Sequence, residues 1–190
     1  MEHRDAMVRA FAFAVDRHGA QTRKGTAIPY VSHVMAVASL VLEDGGSRED
    51  AAAALLHDTL EDTETTPVEL RDSFGPYVAR IVEGCSDRLS STDTTQWRDR
   101  KEAYVARLPE EPEEVLRVSV ADKLHNSRSI VDDLRTGGVG TLDRFNGGRH
   151  GTLWYYETLV ATYERTSACT SRWLPELDRV VGELARLARS

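Results

Sequence analysis

The sequence predicts an all-α protein, a bundle of about eight to ten helices joined by short connections. Three observations carry this. Apolar residues recur every three or four positions in nearly every segment, and no run alternates convincingly with a period of two. Helix-opening combinations of a cap residue, an early proline and an acidic first turn recur along the chain. Glycine or proline separates most of the apolar stretches.

Met7, Ala10, Phe11 and Ala14 line one face of a first helix that should stop at His18 and Gly19. After a basic loop, Pro29 suits the opening of a second, which runs to Glu43 and ends at Gly45 and Gly46. Ser47-Arg48-Glu49-Asp50 forms a capping-box pattern with aspartate in its last place. It starts a third helix that carries an alanine-rich run and the doublet His57-Asp58. Thr66-Pro67-Val68-Glu69 opens a short fourth helix ending near Phe74 and Gly75, and a fifth covers Pro76 to about Asp87. Thr95 caps a sixth over residues 96–108, after which Pro109 and Pro112 bracket a turn. A long seventh helix over 113–134 is stopped by Gly137 and Gly138, and two more at about 148–165 and 172–188 complete the chain. Loop-rich patches are confined to 89–95 and 137–148.

The length of 190 residues suits one domain, residues 1–190, and 41% apolar with 29% charged side chains is ordinary for a globular chain. Thirty-one acidic against 24 basic residues give a net charge of −7. That argues against a general nucleic-acid or anionic-membrane surface, which favours a broad positive excess, and leaves room for a small anion in a local basic pocket. Lys24, Lys101 and Lys123 are the only lysines; the other basic residues are arginine. The longest apolar run near the N-terminus, residues 11–15, is too short for a signal core or a membrane span. Cys85 and Cys169, with no secretory signal, read as reduced thiols of a cytoplasmic protein, and neither has a Cys-x-x-Cys partner that would suggest zinc.

The chemistry gathers around a few positions. His57-Asp58 follows an apolar stretch and is costly to bury unless something satisfies both side chains, as a divalent metal does. With His33 and Asp122 it makes two imidazoles and two carboxylates, a mixed N/O set that suits Mn²⁺ or Fe²⁺ better than a thiolate zinc site. Glu61 follows His57 by four residues and Asp62 follows Asp58 by four, so on a continuous helix both stack one turn from the ligands. A carboxylate pair beside a metal can orient water and shuttle protons; a solvated acidic helix end has the same spacing. Asn126, four residues after Asp122, shares its face and could hydrogen-bond a ribose or a base. Arg23-Lys24, before the His33 helix, could clamp phosphate oxygens or form a solvated loop.

In this order the residues resemble the HD superfamily of metal-dependent phosphohydrolases, whose signature is H…HD…D. The likeness sharpens over Arg23-Lys24, Ile28-Pro29-Tyr30-Val31-Ser32-His33, Ala53-Ala54-Leu55-Leu56-His57-Asp58-Thr59-Leu60-Glu61-Asp62-Thr63, Phe74-Gly75 and Ala121-Asp122-Lys123-Leu124-His125-Asn126. These segments resemble the hydrolase domain of RelA/SpoT homologues, and within that group the small stand-alone SpoT-type hydrolases. The motif-bearing core spans about 12–134, and the C-terminal helices at about 148–188 depart most. The resemblance implies one Mn²⁺ held by His33, His57, Asp58 and Asp122, and hydrolysis of the 3′-diphosphate of (p)ppGpp to GDP or GTP and pyrophosphate. It implies that Glu61 and Asp62 are the catalytic acid pair, that Arg23, Lys24 and Asn126 contact the nucleotide, and that Lys101 contacts a phosphate. The family's usual proline after the first metal histidine is Val34 here, which should alter packing at the helix start and leave the ligand in place. Hydrolysis without synthesis is the expectation for 190 residues. The expected partner is a small nucleotide, not nucleic acid or a membrane, with self-association into a homo-oligomer open. Two other readings stay open: an HD phosphohydrolase of another nucleotide, such as the 2′-phosphate of NADPH, and a non-catalytic nucleotide-sensing module.

Overall fold

The structure is a computed structural model that describes residues 6–88 and 95–189; apart from Thr95, the patch expected as a loop over 89–95 lies outside them. Nine α-helices follow one another among the described residues. They are α1 (Ala6–His18), α2 (Val31–Glu43), α3 (Arg48–Leu56), α4 (Thr59–Asp62), α5 (Pro67–Cys85), α6 (Trp97–Arg107), α7 (Glu113–Gly137), α8 (Gly148–Tyr163) and α9 (Leu174–Arg189). Short 3₁₀ turns at Leu108–Glu110, Val139–Arg144 and Ser167–Thr170 join α6 through α9. The described residues hold no strand, only an isolated antiparallel bridge between Thr22 and Pro29. Among the described residues no helix is long and apolar enough to cross a membrane.

The architecture turns on α3. From Asp50 to Leu56 every residue of this helix is buried, and Ala51 to Ala54 have no exposed surface at all. Methyl side chains let neighbouring helices approach closely, and α1, α2, α5 and α7 all pack against this one element. The capping box that opens α3 forms as the sequence predicts: Ser47 Oγ accepts the Asp50 N–H, and Asp50 Oδ2 accepts the Ser47 N–H. The buried Asp50 is satisfied further by the Tyr77 hydroxyl at 2.8 Å. Behind α3, α7 carries Val115, Leu116, Val118, Ala121 and Leu124 into the core. A buried hydroxyl chain, Tyr104–Ser119–Tyr163, links α6, α7 and α8. The amphipathic α9 lays Leu177, Val180, Val181 and Leu184 on α7 and α8.

Several boundaries differ from the sequence expectation, each for a visible reason. Pro29 does not open α2, because residues 21–30 are claimed by a local turn in which Arg23 N–H bonds Ile28 O and Tyr30 N–H bonds Gln21 O. The helix starts two residues later, at Val31. The Thr66 cap and Pro67 start α5 as expected, and the break expected at Gly75 is there: its φ of 85° lies outside the helical region, and Pro76 resumes the helix beyond it. The residue at the cap position of α6 is Gln96, not Thr95. Most important for function, α3 stops at Leu56, so the His57-Asp58 doublet lies in the break between α3 and α4 and not inside a helix.

Candidate active site

That break is what aims the doublet. His57 donates from Nδ1 to the Ala54 carbonyl at 2.7 Å, which leaves Nε2 as a bare lone pair pointing away from the helix. His33, on the buried face of α2, has its Nδ1 2.8 Å from Nδ1 of His125 on α7. A bare His33 Nε2 requires the Nδ1 proton to be donated to His125. His125 fits the acceptor role: burial, the His33 ring and the Arg23 guanidinium lower its pKa to about 4, so it stays neutral. Both Nε2 atoms are buried and make no hydrogen bond.

Around these two lone pairs stand two carboxylates. Asp58 Oδ2 is 2.9 Å from His57 Nε2 and 3.4 Å from His33 Nε2. Asp122 Oδ1, reaching in from α7, is 3.2 Å from His33 Nε2 and 3.5 Å from His57 Nε2. His33, His57 and Asp58 each offer a donor atom within 4.8 Å of the others. Lone pairs and carboxylates facing one another this closely, at His33 0%, His57 3% and Asp122 5% exposed, call for a cation between them. The electrostatics say the same. Burial opposes charge on His57, yet Asp58 and Asp122 hold its imidazole well above the usual range. Burial would raise the Asp122 carboxyl, but the Lys123 ammonium and the two histidines hold it well below the carboxylate norm. The donor set therefore fits a divalent ion with nitrogen and oxygen ligands.

A layer of hydrogen bonds fixes these groups. The Tyr30 hydroxyl donates to Asp58 Oδ2 at 2.5 Å. Asn126 Nδ2 donates to Asp122 Oδ1 at 2.5 Å while its Oδ1 accepts from Arg23 at 2.8 Å. Lys123 bonds Asp122 Oδ2, so the third lysine is an ion-pair partner of the cluster. Tyr30 and His125 were not singled out by spacing, although each lies three residues from a candidate ligand, His33 and Asp122 respectively.

Tyr30, Lys123, His125 and Asn126 also line a cavity of about 760 Å³, with the cluster directly behind them. Its wall includes Asp62 and also Arg23, Lys24 and Lys101, so with Asn126 all four expected nucleotide-contacting residues open onto one space. Lys24 donates to Asn146 Oδ1 at 3.4 Å at one end. At the other, Lys101 pairs with Asp87 at 2.7 Å and lies 5.0 Å from the centre of the Tyr155 ring. The α6–α8 contact that brings them together depends on two glycines: the Trp97 indole sits where a Cβ on Gly147 or Gly151 would be, at 2.5 and 2.9 Å. The Tyr155 hydroxyl is buried without a partner.

The expected carboxylate pair does not act as one face. Successive helical residues project about 100° apart. Asp62 turns to the cavity and accepts from Gln21 Nε2 at 2.9 Å, whereas Glu61 turns toward the segment that follows α5 and accepts the Asp87 N–H at 2.9 Å. Burial raises both carboxyls, and the Asp58 carboxylate adds to each. For Glu61 this outweighs the nearby Lys101 ammonium and gives about 7.

A family model described as "HD domain" matches residues 10–138. The chain is 36% identical over 129 residues to a guanosine-3′,5′-bis(diphosphate) 3′-pyrophosphohydrolase of Aquifex aeolicus, covering 68% of this chain and 18% of that protein. It is 35% identical over 128 residues to the bifunctional (p)ppGpp synthase/hydrolase SpoT of Escherichia coli, covering 64% of this chain and 18% of the relative. The chain thus spans less than a fifth of these relatives' length. Among solved structures, lmo0812 of Listeria monocytogenes superposes with a TM-score of 0.73 at 28% identity, over 81% of this chain and 99% of that one. A metazoan SpoT ortholog that hydrolyses ppGpp shares the fold, with a TM-score of 0.74 at 24% identity over 96% and 99% of the two chains. With its match over residues 10–138 and the histidine–aspartate cluster at the centre of that segment, the chain belongs to the HD domain family.

Proposed function

We propose that the chain hydrolyses the 3′-diphosphate of (p)ppGpp, releasing pyrophosphate and GDP or GTP, with one Mn²⁺ held by His33, His57, Asp58 and Asp122. The observation that carries this is the juxtaposition of two unbonded imidazole lone pairs and two carboxylates with a cavity walled by Arg23, Lys24 and Lys101. The activity named for relatives 35–36% identical to this chain supports the choice of substrate. A bound divalent ion supplies Lewis-acid charge neutralisation and a water acidified toward neutrality.

The chain's own residues do the rest. Tyr30 and Asn126 hold Asp58 and Asp122 in their ligating orientation, and His125 holds His33 in the tautomer that frees Nε2. Arg23, Lys24 and Lys101 bind phosphate oxygens and offset the charge that builds on them. Asp62, steadied by Gln21, orients the attacking water from the cavity wall. Glu61, at about 7, carries a proton near neutrality and, on turning from the Asp87 N–H toward the cavity, supplies it to the leaving 3′ oxygen.

The test is a Mn²⁺-supplemented assay with ppGpp, NADPH and a deoxynucleoside triphosphate side by side. Pyrophosphate with GDP from ppGpp is the expected result. Orthophosphate from NADPH in its place would assign the site to another phosphohydrolase, and nucleotide binding without turnover would assign it to a sensor.

A further inference from the structure

The outward face of α1 carries an apolar stripe that nothing in the described residues covers. Val8 is 52% exposed, Phe11 39% and Val15 44%, and Ala12 lies exposed among them. Four apolar residues at i, i+3, i+4 and i+7 form one continuous face, which a solvated helix would fill with polar side chains. The buried residues Ala10, Ala14 and His18 run alongside the stripe, so Phe11, seven residues before His18, borders the packed face while Val8, Ala12 and Val15 turn to solvent.

Two charges flank this stripe, and their placement identifies what covers it. Arg9 and Asp16 are both exposed and lie seven residues apart, two turns, so they stand on the same flank. Arg9 donates only to the Ser73 carbonyl and lies over the Phe74 ring, and neither residue has an ion-pair partner among the described residues. A cation at one end and an anion at the other make the face self-complementary under a two-fold axis. We infer that α1 is a homodimer interface, in which two copies pair antiparallel about an axis crossing the helix between Ala12 and Phe13.

In that arrangement each Arg9 stands level with Asp16 of the second copy on the same side of the contact. Val15 of the second copy fits between Val8 and Phe11, and the two Ala12 residues face each other at the axis, where a small side chain permits close approach. Parallel pairing is disfavoured, because its two-fold axis puts this flank of the two copies on opposite sides of the contact, where no Arg9 meets an Asp16. The two symmetric ion pairs are rim contacts that select the geometry, while the valines and phenylalanine supply the affinity. A helix of 13 residues is about 20 Å long, so its face falls short of the standard interface of about 800 Å² per partner. The dimer is therefore concentration-dependent.

Sedimentation velocity over about two decades of concentration should show a monomer–dimer equilibrium. Val15→Asp should weaken it by at least about 100-fold, since each dimer loses two buried valines. Asp16→Arg should weaken it by setting Arg9 against a second cation, and adding Arg9→Asp should restore it. In a Cys169→Ser background, Ala12→Cys should give a disulfide-linked dimer on mild oxidation, with a helical circular dichroism spectrum unchanged in every variant. If Val15→Asp alters the spectrum, the Ala12→Cys cross-link decides alone. A chain that stays monomeric throughout, a dimer indifferent to Val15→Asp, a double charge exchange that fails to restore it, or no Ala12→Cys cross-link would each overturn the inference.

Discussion

Replacing Glu61 with Gln gives a pH-dependent gain in stability whose size and sign follow from the structure. Burial pushes the Glu61 carboxyl from 4.5 to about 7, against the attraction of Lys101 and with the repulsion of Asp87 and Asp58. Between about 4.5 and 7 the folded protein keeps a proton at this position that the unfolded chain has released. Where the folded state binds more protons, stability falls as pH rises, so the penalty begins near the lower value and is complete above the higher one. At about 1.4 kcal/mol per pKa unit, it amounts to roughly 3 kcal/mol by a pH of about 8. Gln retains an oxygen for the Asp87 N–H and carries no charge, so the variant escapes the penalty. Urea unfolding of chelator-treated protein should show wild type and Glu61→Gln nearly equal at a pH of about 5 and the variant ahead by about 2–3 kcal/mol at about 8. A difference that stays flat with pH, or a variant no more stable than wild type at the alkaline end, would refute the reasoning.

Asp58→Asn should lose bound metal and turnover together, while Glu61→Gln should keep the metal and lose turnover; metal content after gel filtration, set beside activity, separates the two. Tyr30→Phe removes the hydroxyl that orients Asp58 and should lower metal affinity by about 10- to 100-fold with little change in fold, read by metal titration. Gly75→Ala meets no neighbouring atom within 4 Å but must adopt a φ of 85°, so it should cost about 1–3 kcal/mol in denaturant unfolding and leave metal binding intact.

Much of this was legible from local chemistry. The capping box at Ser47, the Thr66-Pro67 start, the Gly75 break and the amphipathic C-terminal helix are short-range signals, and each appears where the residues place it. What failed was also local in sequence but decided at longer range. The turn over 21–30 displaced the start of α2, and the termination of α3 at Leu56 redirected the doublet. The i, i+4 spacing that links Glu61 to His57 presumes a helix that is interrupted between them, whereas the divergence of the adjacent Glu61 and Asp62 follows from the roughly 100° step of the helix that holds both. The partners that hold the cluster were out of reach for another reason. His33 meets His125 across 92 residues, Tyr30 meets Asp58 across 28, and Arg23 meets Asn126 across 103. Only the packing of α2, α3 and α7 around one another brings those pairs within bonding distance.

The alanine run of α3 bears on how this protein meets heat. Alanine has no rotamers to populate, so warming cannot loosen the seat of His57 and Asp58 one side chain at a time. The seat is backbone held by methyl groups, and it deforms only when a neighbouring helix lifts away. Metal retention on heating should therefore end abruptly and together with loss of helicity, with no warm, folded state that has already let go of its ion.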